Sequence, residues 1–122
     1  MKVTYIGHSG FLIESGSCCC LFDYYQGEIP SMPEDKPLYI FVSHRHQDHF
    51  NPEIFQVSGP KEIHYILSQD TRRYMRDRLS LPNLHFMKAE ESLALTEAGS
   101  GKSLSVKTFH STDCGVAYLV ET

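Results

Sequence analysis

The stretch Leu38-Tyr39-Ile40-Phe41-Val42-Ser43-His44-Arg45-His46-Gln47-Asp48-His49 decides the fold of this chain. Its first five residues are apolar, aromatic or β-branched, which predicts a buried strand. Three imidazoles and one carboxylate follow directly after that strand. Histidine and aspartate at this density are typical ligands of borderline metal ions. The stretch therefore predicts a metal site at one edge of a sheet.

The spacing of the ligand-type residues predicts their arrangement. If the extended backbone continues through His46, the two-residue period of a strand places His44 and His46 on one side. Asp48 and His49 then follow a turn. This geometry predicts two adjacent metal positions with a shared water or hydroxide between them. Scattered surface or core histidines are the simpler alternative, and the density of the run disfavours it.

The pattern His44-x-His46-x-Asp48-His49 after an apolar strand resembles the signature of the metallo-β-lactamase-fold hydrolases. The amino-terminal residues 3–14 and 20–23 resemble the first strands of the small, UlaG-like bacterial branch of that family. The late segment 109–115, which contains His110, resembles the place where the family supplies a further histidine. The resemblance implies that His44, His46 and His110 hold one metal ion, while Asp48 and His49 bind the second.

The same resemblance implies the fold class and its extent. We expect an α+β fold, namely the N-terminal half of a metallo-β-lactamase-like αβ/βα sandwich, with a mixed, mostly antiparallel sheet and helices on one face. No histidine follows His110, whereas the family completes its second site with a later aspartate and histidine. We therefore expect residues 1–122 to form a single half domain that corresponds to the first half of the family fold.

Local patterns predict the elements around the metal site. Asn51-Pro52-Glu53 combines a capping residue, a proline at the first helical position and an early acid, which predicts a short helix over 51–57. A second, amphipathic helix is expected over 68–78. The remaining apolar segments predict strands at 2–6, 11–14, 18–23, 61–67, 84–87, 92–95, 103–109 and 116–120, with a hairpin connection at 97–102.

Composition excludes some classes of function. With 122 residues, 41% hydrophobic residues and 21% charged residues, the chain is predicted to be a single folded domain. The formal net charge of −4 argues against nucleic-acid binding through a general basic field. Arginines at positions 72, 73, 76 and 78 are a local exception. For them, the solvated face of a helix is favoured over a phosphate-binding patch.

The sequence also predicts the cellular location of the protein and the role of its cysteines. No apolar run has the length of a membrane span, and the amino terminus does not resemble a secretion signal, so a cytoplasmic protein without membrane contact is expected. Cys18, Cys19 and Cys20 are consecutive and leave only Cys114 as a distant partner. This pattern is typical of small buried side chains rather than of a disulfide framework or a thiolate metal site.

Two residues outside the run are further candidates for the site. His8 lies at a strand end between Gly7 and Gly10, and the resemblance places this turn on the side of the metals. Asp23 ends a predicted strand, where it either caps a turn or accepts a hydrogen bond that fixes a histidine tautomer. His64 and His85 lie inside predicted strands and are expected to be packing or surface residues.

These residues predict a metal-dependent hydrolase. One or two zinc ions, with manganese or iron as alternatives, would activate water. The family resemblance implies that the bond cleaved is an ester, lactone, amide or phosphodiester bond of a small molecule. By family resemblance, Asp48 would both bind metal and carry a proton to the leaving group. The alternative is a truncated, non-catalytic metal-binding or oligomerisation module. Its partner would be a second copy of the chain or a complementing C-terminal half.

Overall fold

The main sheet contains six strands in their order along the chain. The structure is a computed structural model, which describes residues 1–96, 103–111 and 115–122. Neighbouring strands from the first to the third pair antiparallel, and those from the third to the sixth pair parallel. The strands are β1 (Lys2–Gly7), β2 (Gly10–Glu14), β3 (Cys19–Phe22), β4 (Leu38–Val42), β5 (Ile63–Ser68) and β6 (Leu84–Met87).

A second sheet of three antiparallel strands packs on the first. Its strands, in order across the sheet, are β7 (Ser92–Thr96), β8 (Ser103–His110) and β9 (Val116–Glu121). The expected mixture of parallel and antiparallel strands is therefore present. The main sheet, however, has three parallel pairings against two antiparallel ones, because β4, β5 and β6 all return to the same starting edge. The predicted hairpin connection at 97–102 lies outside the described residues.

The buried strand β4 separates two apolar clusters. Because successive side chains of a strand point to opposite faces, Leu38, Ile40 and Val42 join one cluster. Tyr39 and Phe41 join the other, which also contains the inward-facing side chains of the second sheet. All five residues are almost completely buried. The three consecutive cysteines alternate in the same way between the two clusters and are buried, as expected.

The helices are shorter than predicted. Asn51 caps the 3₁₀ helix Pro52–Gln56 by accepting a hydrogen bond from the Glu53 amide, as its sequence indicates. The amphipathic helix expected over 68–78 is instead two 3₁₀ segments, Gln69–Tyr74 and Arg76–Arg78. Arg76 has φ of 29°, a left-handed value that an α-helix does not accommodate. Within the described ranges no α-helix is present, so the layer of helices expected on one face is not established.

No helix in the described part of the chain is both long enough and apolar enough to cross a membrane.

The parallel strands place several loops at one edge of the main sheet. Strands β3, β4, β5 and β6 run in the same direction, so the residues that follow each of them lie at a common edge. Loops at the carboxyl ends of parallel strands are the usual place for ligand sites in open sheets. Asp23, Ser43, Gln69 and Lys88 are the first residues after these four strands. This edge therefore carries the histidine run, which comprises residues 43–49, and the residues around it.

Candidate metal centre

The histidine run folds as a tight turn rather than as a continued strand. β4 ends at Val42, and the histidine run begins at the next residue, Ser43. The backbone amides of His49 and Phe50 both donate to the carbonyl oxygen of His46. The extended backbone expected through His46 is therefore absent. The turn nevertheless brings His44 and His46 together, with ring centroids 4.8 Å apart.

Three side chains of the run converge. Ligand atoms of His44, His46 and Asp48 all lie within 4.8 Å of one another. His44, two residues after the core strand, is buried, and the other two lie nearer the surface. Bonds from nitrogen or oxygen ligands to zinc are about 2.0–2.2 Å long, so small side-chain rotations would bring all three atoms onto one cation. The three residues form a group that could hold a metal ion.

Asp23 organises the histidine run from the end of β3. Its carboxylate accepts hydrogen bonds from the backbone amide and the hydroxyl of Ser43, both at 2.7 Å. The same carboxylate lies 3.0 Å from Nδ1 of His49. Asp23 has φ of 46°, a left-handed conformation that is uncommon for aspartate and often associated with functional sites. This residue therefore connects two neighbouring strand ends.

His49 lies beside the converging group with its orientation set by Asp23. When Nδ1 carries the proton and donates it to Asp23, Nε2 is left as the available ligand atom. That Nε2 atom lies 3.5 Å from the Asp48 carboxylate. The His49 ring centroid is 3.9 Å from that of His44. His49 is thus adjacent to the group, although its ligand atom is not among the three that converge most closely.

His8 contacts the group from the turn between β1 and β2. Its Nε2 lies 3.1 Å from Oδ2 of Asp48, and its φ of 54° is again left-handed. This hydrogen bond is the main reason that the pKa of the Asp48 carboxyl lies below its usual range, with the nearby His49 adding to the effect and partial burial opposing it. Ser9 holds the Asp48 backbone by donating to its carbonyl oxygen. The Asp48 side chain is therefore held as a carboxylate.

His110 lies outside the converging group. Its side chain is 78% exposed at the end of β8, and its Nε2 lies 3.5 Å from Glu90 Oε1. The histidines of β5 and β6, His64 and His85, also lie apart from the group; His64 is buried and paired with Glu62 at 2.7 Å.

Gly115 allows a close approach that sequence analysis missed. A Cβ atom at this position would overlap the Ser43 carbonyl oxygen and the His44 Cβ, and would lie 2.9 Å from the His44 Cα. The φ of Gly115 is +91°, which side-chain-bearing residues rarely adopt. The next amide, of Val116, donates to the Ser43 carbonyl at 2.8 Å. Only the glycine itself, shortly after His110, could have signalled this contact in the sequence.

Asp70 is a second residue that sequence analysis missed. Its Oδ2 accepts the backbone amide of Arg45 at 3.1 Å, and its Oδ1 accepts the Ser68 hydroxyl. Asp70 therefore supports the loop from the β5 side, as Asp23 does from the β3 side. Aspartate two residues after a strand is a common turn pattern, so the sequence around Asp70 does not indicate a role at the site.

Comparison with known proteins identifies related sequences. A family model described as "Beta-lactamase superfamily domain" matches residues 2–117. A Mycolicibacterium smegmatis protein named "Putative Rieske 2Fe-2S iron-sulfur protein" is 31% identical over 87% of this chain and 23% of its own length. A UPF0173 metal-dependent hydrolase of Desulforamulus reducens is 42% identical over 44% of this chain and 25% of its own length. The chain thus spans about a quarter of the length of these relatives.

Two solved structures share the fold. A metallo hydrolase from the hyperthermophilic archaeon Ignicoccus hospitalis superposes with a TM-score of 0.63 at 14% identity, over 98% of this chain and 55% of its own length. A CmlA beta-hydroxylase variant also gives a TM-score of 0.63, at 16% identity, over 98% of this chain and 28% of its own length. At these identities the likeness concerns the fold alone, and it extends over nearly the whole chain.

Proposed function

Since the family match covers almost all of this chain, the chain belongs to the beta-lactamase superfamily, and we propose that it carries ligands of a metal-dependent hydrolase. The observation that supports this proposal is the convergence of His44, His46 and Asp48, whose ligand atoms lie within 4.8 Å of one another. The chain corresponds to part of a longer fold in its relatives, so the proposed activity is that of the whole hydrolase.

The ligand set suits a divalent transition metal. Two imidazoles and a carboxylate bind zinc, manganese and iron, and we propose zinc as the first candidate, bound as one or two ions. A metal ion at this position would polarise an oxygen atom of the substrate and lower the pKa of a water molecule. The proposed reaction is hydrolysis of an ester, lactone, amide or phosphodiester bond in a small molecule, in the cytoplasm.

The neighbouring residues have separate roles in this proposal. Asp48 is the ligand held as a carboxylate by His8, and it is also the candidate proton carrier for the leaving group. Asp23 is a positioning residue, because its hydrogen bond orients His49 and makes Nε2 available to a metal ion. His49 would then complete the site beside the three converging ligands, and His110 remains the proposed further ligand. His110 would have to turn away from Glu90 to reach the group.

Metal binding by the purified chain tests the proposal. We expect His46→Ala and Asp48→Ala to lose stoichiometric zinc, measured by equilibrium dialysis and elemental analysis, while circular dichroism shows a folded protein. Gln47→Ala is the matched control, since this exposed residue of the same turn is absent from the ligand group. Equal zinc content in all three variants would contradict the assignment of these ligands.

A non-catalytic metal-binding or oligomerisation module is the second candidate function. It is favoured by the exposure of the apolar side chains Val3, Tyr5 and Phe11 on neighbouring strands, which a second copy or a complementing C-terminal half could cover. Native mass spectrometry separates the candidates when it is combined with an assay of model esters, lactones and phosphodiesters. A zinc-loaded oligomer without turnover supports the module, and turnover that His46→Ala abolishes supports the hydrolase.

A further inference from the structure

Three aromatic rings form a row on the inner face of the main sheet. Tyr39, His64 and His85 come from the neighbouring strands β4, β5 and β6, and Tyr39 belongs to the apolar cluster shared with the second sheet. The alternation of side chains along β5 and β6 places both histidines on that same face. The ring centroids of Tyr39 and His64 lie 5.0 Å apart, and those of His64 and His85 lie 6.2 Å apart. We call His64 and His85 the inner histidine pair.

The inner histidine pair is separate from the candidate metal centre. His64 lies directly opposite Tyr39 on β4, and His85 lies opposite Ile66 on β5. At a rise of about 3.3 Å per residue, Tyr39 is about 10 Å from the end of β4, after which the histidine run begins. Neither member of the pair belongs to the converging group of that run. A ligand of the pair would therefore be distinct from a metal ion bound at the edge of the sheet.

Glu62 fixes the tautomer of His64. The Glu62 carboxylate lies 2.7 Å from Nε2 of His64. An ionised carboxylate can only accept a hydrogen bond, so in the neutral imidazole Nε2 carries the proton and Nδ1 keeps its lone pair. Histidines that bind metal ions usually donate their other ring nitrogen to a carboxylate or carbonyl in this way. The contact with Glu62 therefore prepares Nδ1 of His64 as a ligand atom.

Each histidine of the pair has a buried ring nitrogen without a hydrogen bond. Nδ1 of His64 and Nε2 of His85 have no hydrogen-bond partner in the part of the chain that the structure describes. His64 is only 8% exposed, so bulk water does not satisfy its nitrogen. Buried polar atoms are paired in most proteins, because an unpaired one is unfavourable. Two such nitrogen atoms on neighbouring strands indicate a ligand that accepts their lone pairs.

The separation of the two rings is compatible with one metal ion. A zinc–nitrogen bond is about 2.0–2.1 Å long and the ring centroid is about 1.1 Å further away, so two imidazoles on one ion have centroids at most about 6.4 Å apart. The observed 6.2 Å lies within this limit. The ring planes are inclined by 23°, so a rotation of one ring is needed to direct both lone pairs at the ion. His85 also lines a cavity of about 470 Å³ with Glu91 and Ser92, which offers a path for the ion.

We propose that the inner histidine pair binds a divalent transition-metal ion of the class that prefers imidazole, namely zinc, nickel or copper. Nδ1 of His64 and Nε2 of His85 are the protein ligands, and water molecules that enter from the cavity complete the coordination. Glu62 is a positioning residue. The ion would connect β5 and β6 and stabilise the fold. This inference uses none of the ligands of the proposed hydrolase and stands independently of it.

Metal binding by a chain without the candidate metal centre tests the pair. In a tag-free chain that carries His46→Ala and Asp48→Ala, we expect isothermal titration calorimetry to show one remaining zinc ion per chain. With only two protein ligands this ion is bound weakly, so titration is used rather than metal content after dialysis. His64→Phe and His85→Phe should each weaken this binding about tenfold or more, because phenylalanine offers no ligand atom. Ser92→Ala is the matched control, since Ser92 lines the same cavity.

Glu62→Gln tests the positioning role. The glutamine amide can donate a hydrogen bond to Nε2 of His64, which moves the ring proton to Nδ1 and blocks the ligand atom. We expect zinc affinity in the same background to fall about 10- to 100-fold. Electron paramagnetic resonance of the copper(II)-loaded chain gives a readout that a merely structural role would not change. It should show two coordinated nitrogen atoms in the background chain and fewer in the His64, His85 and Glu62 variants.

The outcomes separate this inference from the proposed function. Absence of zinc and copper binding from the background chain would overturn the inner site, even if the parent chain binds zinc through His46. Equal affinities in the His64→Phe, His85→Phe and Ser92→Ala variants would overturn it as well. Binding that depends on His64 and His85 supports the inner site whether or not the hydrolase ligands are correct. Thermal melting of each metal-free variant confirms that it is folded, and zinc should raise the melting temperature only where both histidines are present.

Discussion

The Asp23 carboxylate lies 3.0 Å from Nδ1 of His49 and 2.7 Å from both the amide and the hydroxyl of Ser43. One side chain at the end of β3 therefore holds both the beginning and the end of the histidine run that follows β4. The two strands are parallel neighbours, so their carboxyl ends are adjacent. This relationship explains how a turn without regular secondary structure can keep a defined shape.

Asp23→Asn should weaken metal binding and destabilise the fold. An amide cannot accept hydrogen bonds with both of its terminal atoms, so the contact to His49 or one of those to Ser43 is lost. We expect zinc affinity to fall about 10- to 100-fold, which is typical for partners that orient a ligand. The free energy of unfolding should fall by about 1–3 kcal/mol. Competitive zinc titration and urea unfolding measure the two effects.

The control for this change is Asp35→Asn, at an exposed acidic residue of the loop before β4. It should leave zinc affinity and stability within experimental error. If Asp23→Asn behaved like Asp35→Asn, the Asp23 contacts would have no positioning role.

Gly115→Ala should disturb the site from the side of the second sheet. The added Cβ would overlap the Ser43 carbonyl and His44, and φ of +91° is strained for alanine. We expect a loss of stability of at least about 1 kcal/mol, together with weaker zinc binding. Gly16→Ala is the matched control, because a Cβ there meets no atom within 4 Å. Equal melting temperatures for the two variants would contradict the close approach.

Tyr118→Phe should loosen the contact between the two sheets. The Tyr118 hydroxyl donates to the Val42 carbonyl at 2.8 Å, and burial raises its pKa well above the usual value for tyrosine. Removing the hydroxyl leaves a buried carbonyl without this donor, so we expect a cost of about 1–3 kcal/mol in urea unfolding. Tyr74→Phe, at a 51% exposed position, should change stability by less than about 0.5 kcal/mol. The prediction fails if the two substitutions have equal effects.

His85→Phe should make the free energy of unfolding depend less on pH on the acid side. Burial, with the nearby His64, lowers the pKa of His85 from 6.5. As the pH falls below about 6.5, the unfolded chain binds a proton that folded His85 resists, so the stability of the parent chain decreases. The variant lacks this proton uptake. We therefore expect the variant to lose less stability than the parent between pH 8 and pH 5.

Urea unfolding of both proteins at each pH measures this difference. His85 also has a buried Nε2 without a partner among the described residues, so phenylalanine should not lower stability at pH 8 through a lost hydrogen bond. Parallel stability profiles for parent and variant would contradict the shifted pKa.

Much of the fold could be predicted from local patterns. The strand over Leu38–Val42 matches its prediction at both ends, because a continuous apolar run buried on both faces has few alternatives. The helix cap at Asn51 could also be predicted from the sequence, since it depends on three adjacent residues. The helix expected over 68–78 was wrong in type, because its apolar spacing does not report the left-handed φ at Arg76. Local periodicity could not reveal that break.

For the candidate site, too, the sequence predicts some residues and not others. The sequence predicts that Asp23 either caps a turn or accepts a hydrogen bond from a histidine, and its carboxylate lies beside His49. No sequence pattern indicates Asp70 or Gly115. The contacts of the latter two join positions that are distant in sequence, Arg45 to Asp70 and His44 to Gly115. No pattern in a single sequence specifies such pairs, because they depend on which strand ends become neighbours.

By itself the sequence determined the chemical character of this protein: its ligand types, its buried strand and its resemblance to a hydrolase family are properties of adjacent residues. The tertiary structure decided which ligands converge and which aspartates hold the loop that carries them. The physical reason is that parallel pairing of β3, β4 and β5 brings three loops to one edge, and that pairing is a cooperative result of packing over the whole core.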